Sequence, residues 1–197
     1  RRTRRPPRAR GALAAHQVAS NVWYLLALGL DALAIAAQAL IGKGLGSGDV
    51  AHVRGVLRRC VEWGIWSGVV LGAVVVATAW VLPALFTSSP EVAALLPPSL
   101  VVLGVSAPLG GLVFVLDGVL IGAGDARYLA WTGLVNLAVF VTLALGTVWW
   151  ADAAGLPGAA SLAWLTASFA IGYLAARAVT LSLRARGTRW MVTGAPA

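Results

Sequence analysis

The sequence predicts an all-α integral membrane protein with five transmembrane helices, and composition is the first evidence. Apolar residues make up 59% of the 197 residues and charged residues only 11%, whereas soluble domains carry about 25% charged residues. A water-facing globule would therefore lack the polar surface that it needs, and intrinsic disorder is excluded for the same reason. With one cysteine and two histidines, no internal disulfide, metal site or cofactor is expected.

Five long apolar stretches are the second observation. A bilayer core of about 30 Å is crossed by about 20 helical residues, and each stretch is longer than this. Helices satisfy their own backbone inside lipid, whereas a barrel would show alternating segments of about ten residues. The predicted spans lie at about 11–41, 60–86, 92–122, 127–150 and 156–183.

Turn-forming residues separate the spans and set the domain organisation. The segments that follow the first four spans are 42–49, 87–90, 122–125 and 151–157. Pro97 and Pro98 lie in the third stretch, where the helix either begins or kinks. We assign residues 11–183 to one transmembrane bundle, 1–10 to a basic arm and 184–197 to a tail.

The segment 50–59 differs from the apolar stretches because it carries three arginines. Val50, Val53 and Leu57 fall on one helical face. This pattern predicts a short cationic amphipathic helix lying at the membrane interface. An ordinary polar loop is the alternative.

Glycines mark close packing and two similar helix ends. Gly118 and Gly122 are four residues apart, a spacing that lets helix backbones approach each other in membranes. The sequences Leu45–Asp49 (LGSGD) and Ile121–Asp125 (IGAGD) follow the same pattern. Each predicts a glycine that stops one helix and an aspartate that caps the next.

The positions of lysine and arginine predict the orientation of the bundle. In a five-span protein the first and third loops share one side with the C-terminus, and this side carries Lys43, Arg54, Arg58, Arg59, Arg127, Arg184, Arg186 and Arg189. The other two loops carry neither lysine nor arginine. Because cytoplasmic loops are enriched in these residues, we expect a multi-pass protein of the cell membrane with a cytoplasmic C-terminus.

The basic arm 1–10 does not fit this orientation, because its six arginines would then lie outside. We therefore expect that the arm is not the natural context of the first helix. The net charge of +8 falls to +2 without the arm. We accordingly expect the lipid bilayer as a partner and do not expect the protein to bind nucleic acid.

Polar side chains within the spans are the candidate site residues, since they are expensive in lipid and face other helices or a water-filled cavity. Asp31 and Gln38 share a helical face, and Gln17 and Asn21 are separated by one turn. For Gln17, Asn21 and Asn136, helix-to-helix hydrogen bonding is favoured. For Asp31 and Asp117, we favour a substrate or ion pathway or a strict structural pair. The candidates are Asp31, Gln38, Asp117, Asn136, Gln17 and Asn21.

Motifs for catalysis are absent from the sequence. The glycine-rich segment 42–48 is not a phosphate loop, because Lys43 is followed by Gly44 and no strand precedes it. The sequence also lacks a nucleophile elbow, a zinc-protease motif and paired catalytic carboxylates. We therefore do not expect an enzyme.

Three segments resemble the multidrug and toxic compound extrusion (MATE) family. Their residues are most similar to the sequence pattern of its DinF-like branch. They are Ala14–Ala19 (AAHQVA), Leu30–Leu40 with the glycine-rich segment that follows it, and Val115–Tyr128. They occur in the family's order, and the resemblance covers roughly residues 12–183. It implies the last five helices of a twelve-helix transporter of the bacterial inner membrane type.

The same resemblance implies a function. Members of the family are antiporters that extrude amphipathic or cationic small molecules in exchange for H⁺ or Na⁺. The chain would then be part of such an antiporter, inactive alone and completed by the missing N-terminal lobe or a second copy. The alternative is a small self-associating membrane scaffold or carrier subunit without independent transport.

Overall fold

The computed structural model describes residues 7–194. Its helices are α1 (Pro7–Gly46), α2 (Val50–Thr78), α3 (Leu82–Phe86), α4 (Pro90–Gly122), α5 (Ala126–Ala153), α6 (Gly158–Ala167) and α7 (Leu174–Arg186). A π-helical segment, Ser168–Tyr173, joins α6 to α7. The described residues thus provide five helical segments that are long and apolar enough to cross a membrane. The all-α, five-span prediction is confirmed.

Helix α4 forms the centre of the bundle, with α1 and α2 packed along it. Gly118 and Gly122 bring α4 against the backbone of α1 at Ala34 and Gln38. A second set of small residues brings α4 equally close to α2, and this ladder consists of Gly64, Gly68 and Gly72 on α2 facing Gly104, Ala107 and Gly111 on α4. Dispersion between closely approaching backbones holds helices together in lipid, where the hydrophobic effect adds little.

The second span differs from its predicted bounds. The prediction of a separate interfacial helix over 50–59 is wrong, because α2 runs without a break from Val50 to Thr78. Arg58 and Arg59 pair with Glu62 in the next turn, at 3.0 and 3.8 Å. The helix ends before residue 86, and Pro83 lies in the first turn of α3, where a missing N–H is tolerated.

The outer ends of the bundle also differ from the prediction. Helix α1 begins at Pro7, inside the predicted basic arm, of which residues 1–6 lie outside the described residues. Helix α4 starts at Pro90 and continues through its three internal prolines. Helix α7 runs to Arg186, and the tail then folds back: Trp190 is 1% exposed and donates from Nε1 to the carbonyl of Ala185 at 3.2 Å.

The two similar glycine segments adopt the same backbone turn. Gly48 and Gly124 have positive φ angles of 76° and 72°, which suit glycine at the end of a helix. The predicted cap is confirmed at Asp49, whose side chain accepts from the backbone of His52 at 2.9 Å. It is wrong at Asp125, which forms an ion pair with Arg184 at 2.6 Å instead.

Candidate functional site

Asp117 forms an ion pair with Arg177 between α4 and α7. Arg177 donates from Nη2 to Oδ1 at 2.6 Å and from Nε to Oδ2 at 3.3 Å. The two side chains are only 28% and 11% exposed. A third donor, Nη1, reaches the hydroxyl of Thr132 on α5 at 3.3 Å. The guanidinium therefore links three helices in the two-pronged geometry that makes such pairs strong.

This ion pair lines a cavity of about 380 Å³ between α1, α4, α5 and α7. Asp31 and Gln38 of α1 line the same cavity. Three of the six candidate residues are thus brought together here, although they come from two different spans. Among the residues that the structure describes, the side chain of Asp31 has no ion-pair or hydrogen-bond partner. The cavity therefore combines one compensated carboxylate with one that is available to a ligand or ion.

Asp31 and Gln38 belong to a longer feature, which we call the α1 stripe. Its members recur on one face of α1 at intervals of three and four residues and are all exposed: Gln17, Asn21, Tyr24, Leu28, Asp31, Ile35 and Gln38. From Gln17 to Gln38 the stripe is about 32 Å long at 1.5 Å per residue. This length matches the hydrocarbon core of a bilayer. The stripe consequently places four polar side chains on one exposed face of α1, with three large hydrophobic side chains between them: Gln17, Asn21, Asp31 and Gln38, and Tyr24, Leu28 and Ile35.

The remaining candidates lie away from the cavity. Gln17 donates to Asn21 at 3.3 Å within the stripe, near the end of the bundle opposite the first loop. Asn136 of α5 is fully buried and faces Thr180 of α7, with Nδ2 to Oγ1 at 3.4 Å. Its Oδ1 is buried without a partner in the described part of the chain. Asn136 thus takes part in a contact between α5 and α7 rather than in the cavity.

Polar groups link α5 to α7. Tyr128 donates its hydroxyl to the carbonyl of Thr180 at 2.6 Å. The guanidinium of Arg184 lies 4.8 Å from the centre of the Tyr128 ring and pairs with Asp125. Asn136 and Ala151 are the buried residues of α5, and Phe140 adds edge-on contacts with Phe169 and Tyr173.

Arg177 is the functional residue that sequence reasoning missed. It lies within the fifth apolar stretch, nine residues before the end of α7. The signal was available, because an arginine inside a span requires an anionic partner. Asp117 was one of few intramembrane carboxylates that could serve.

The fold and this site define a polytopic α-helical membrane protein whose bundle carries a cavity lined by an ion pair and a helix face with four exposed polar residues. The sequence profile of the MatE family matches residues 10–149. The chain therefore belongs to the MATE family.

Curated relatives from Arabidopsis thaliana are similar to the chain. Protein DETOXIFICATION 44, chloroplastic, is 31% identical over 70% of this chain and 28% of its own length. Protein DETOXIFICATION 45, chloroplastic, is 31% identical over 63% of this chain and 22% of its own. Protein DETOXIFICATION 43 is 29% identical over 89% of this chain and 32% of its own.

The chain thus spans about a third or less of the length of these relatives. No solved structure gives a significant match to it.

Proposed function

We propose that this chain supplies helices that line the substrate pathway of a secondary-active efflux transporter. The transporter would exchange H⁺ or Na⁺ for amphipathic or cationic small molecules. The family match supports the class of protein. The α1 stripe carries the proposal, because its four exposed polar side chains are costly to place in lipid. In a transporter they would face a water-filled cavity.

The cavity beside the stripe supports a role in cation handling. Asp31 offers a carboxylate that no described residue neutralises, and Asp117 is held beside it by Arg177. A cation that binds at Asp31 gains the attraction of a carboxylate that is not already in an ion pair. Gln38 adds an amide that can bind either a cation or a polar substrate group.

Transport by this mechanism requires more helices than the chain provides. Alternating access depends on two halves that rock around a central site, and the α1 stripe forms one wall of such a site. We propose that a second lobe supplies the opposite wall. A self-associating scaffold without transport is the alternative, since a second copy would also cover the exposed polar residues.

The proposed orientation places the end of the bundle that holds the first and third loops and the C-terminus in the cytoplasm. These segments lie together: Gly42 contacts Gly122 between α1 and α4, and Arg184 reaches Asp125. Their lysines and arginines support the orientation. From the amino-acid sequences of the three motifs, we propose that the chain belongs to the DinF-like branch and resides in a bacterial inner membrane.

A cysteine scan of α1 tests the pathway. It uses a hybrid in which residues 11–186 replace the aligned segment of a MATE relative, with Cys60→Ser as background. Gln17, Tyr24, Asp31 and Gln38 are changed to cysteine one at a time and treated with a charged thiol reagent. We expect each to react at least tenfold faster than a lipid-facing control, because the reagent attacks a thiolate that forms only in water.

Leu25, Ala32 and Ala39 are the matched controls, since each is exposed and follows a stripe residue directly. Ser47→Cys and Ser88→Cys report the two sides of the membrane. The proposed orientation predicts that only Ser88→Cys reacts with impermeant reagent from outside. Equal rates at stripe and control positions would refute the pathway, and the reverse sidedness would refute the orientation.

A further inference from the structure

A groove of about 340 Å³ lies between α2, α4 and the end of α7. It is on the opposite side of α4 from the cavity that Asp31 lines. Leu57 and Val61 of α2 and Leu112 and Leu116 of α4 give it apolar walls. Arg54 and Arg186 also line it. Arg54 precedes the apolar residues of α2 by one to two turns, and Arg186 is the last residue of α7. The groove is therefore cationic at its outer end and apolar further in.

The two arginines differ from most others in the described part of the chain. Arg58, Arg59, Arg177 and Arg184 each form an ion pair with a carboxylate. Arg54, Arg127, Arg186 and Arg189 form none within residues 11–194, and of these Arg54 and Arg186 line the groove. Two guanidinium groups that share one groove present up to ten N–H donors, which suits the oxygens of a phosphate.

The tail of the chain completes the groove. Buried Trp190 holds the chain against α7 through its bond to the carbonyl of Ala185. This turn places Met191 in the wall of the groove. The groove is consequently a fixed feature of the fold, and it does not depend on the transport proposal.

The depth of the groove fits the headgroup layer. The 29 residues of α2 extend about 44 Å at 1.5 Å per residue, which is close to the full thickness of a bilayer with its headgroups, about 40–45 Å. Arg54 in the second turn of α2 and Arg186 at the end of α7 then lie at headgroup level. The leucines and Val61 lie at the level of the acyl chains.

We propose that this groove binds an acidic phospholipid. The phosphate lies between Arg54 and Arg186, and one acyl chain lies along Leu57, Val61 and Leu112. Basic pockets between helix ends are a recognised way to bind anionic lipids. A free phosphate would match the arginines but would leave the apolar walls unused.

Lipid binding to the purified full chain tests the proposal. The chain in a neutral detergent is titrated with phosphatidylglycerol, with phosphatidylcholine and with inorganic phosphate, and bound lipid is measured by native mass spectrometry. We expect phosphatidylglycerol to bind at least tenfold more tightly than phosphatidylcholine. The variant Arg54→Gln/Arg186→Gln should lose about tenfold in affinity for phosphatidylglycerol, and each single substitution about threefold.

Arg127→Gln/Arg189→Gln is the matched control, because it removes two exposed arginines from the same end of the bundle without touching the groove. It should change the affinity less than twofold. An equal loss in the control would show general attraction to positive charge and overturn the proposal. Equal binding of both lipids, or phosphate that displaces phosphatidylglycerol at similar concentration, would also overturn it.

Discussion

Asp117→Asn should destabilise the bundle by about 3–5 kcal/mol, the loss typical of a buried ion pair that is broken on one side. The substitution leaves Arg177 charged and without a carboxylate partner, and the hydroxyl of Thr132 still accepts a hydrogen bond from it. The amide can still accept one hydrogen bond but cannot neutralise the guanidinium. Unfolding in mixed micelles, followed by circular dichroism, measures this loss.

The double variant Asp117→Asn/Arg177→Gln separates charge from shape. It removes both charges, keeps the size of the side chain at 117 and shortens the one at 177, so it should be more stable than Asp117→Asn alone. Asn136→Ala is the control for a buried polar group without charge. In the hybrid transporter, Asp117→Asn should impair extrusion more than Asn136→Ala. Equal effects in stability and extrusion would remove Asp117 from the functional residues.

Gly68→Leu should destabilise the contact between α2 and α4 by about 3 kcal/mol or more, at the upper end of the effects of overpacking. A Cβ at Gly68 would stand 2.6 Å from Cα of Pro108 and even closer to the carbonyl oxygen of Ala107. These are backbone atoms, so relief requires α2 and α4 to separate. That separation would also disturb Gly64 and Gly72 in the same ladder.

Gly55→Leu is the matched control for Gly68→Leu. It lies on the same helix, and a Cβ there would meet no atom within 4 Å. Both changes gain the same helix propensity, about 0.8 kcal/mol, so their difference reports packing alone. Melting temperatures in one detergent compare the two variants. If Gly68→Leu melts at the temperature of Gly55→Leu, α2 does not pack on α4 as described.

Hydropathy predicts the five spans because length and apolar content are sufficient to cross a bilayer. It cannot locate the start of α2, since the arginines at 54, 58 and 59 resemble an interfacial segment. In the structure α2 is continuous through these residues, and Arg58 and Arg59 pair with Glu62 across one helical turn.

Packing was predictable only in part. The pair Gly118 and Gly122 was correctly identified as a close contact, and the structure assigns it to α1. The glycines at 64, 68 and 72 have the same spacing and were a usable signal that was missed. Which helix each glycine faces depends on the tertiary arrangement, which the spacing alone does not specify.

The candidate site, like the packing, could be predicted only in part from the sequence. The seven-residue spacing of Asp31 and Gln38 predicts that they share one helical face, and both line one cavity. Their proximity to Asp117 could not be predicted, because it requires the register between α1 and α4 that Gly118 and Gly122 set. Tyr24 lies seven residues from both Gln17 and Asp31 and so belongs to the stripe. Because tyrosine is aromatic, the sequence alone does not distinguish it from the apolar residues of the span.

Efflux of a fluorescent organic cation from an efflux-deficient host tests most directly whether these helices line a transport pathway. The hybrid carrying residues 11–186 should extrude the dye until a protonophore or removal of sodium stops it. Asp31→Asn in the hybrid should lower the rate at least tenfold at equal expression, and the 197-residue chain alone should behave like an empty vector. Energy-dependent extrusion by the chain alone, or an Asp31→Asn hybrid as fast as its parent, would contradict this mechanism.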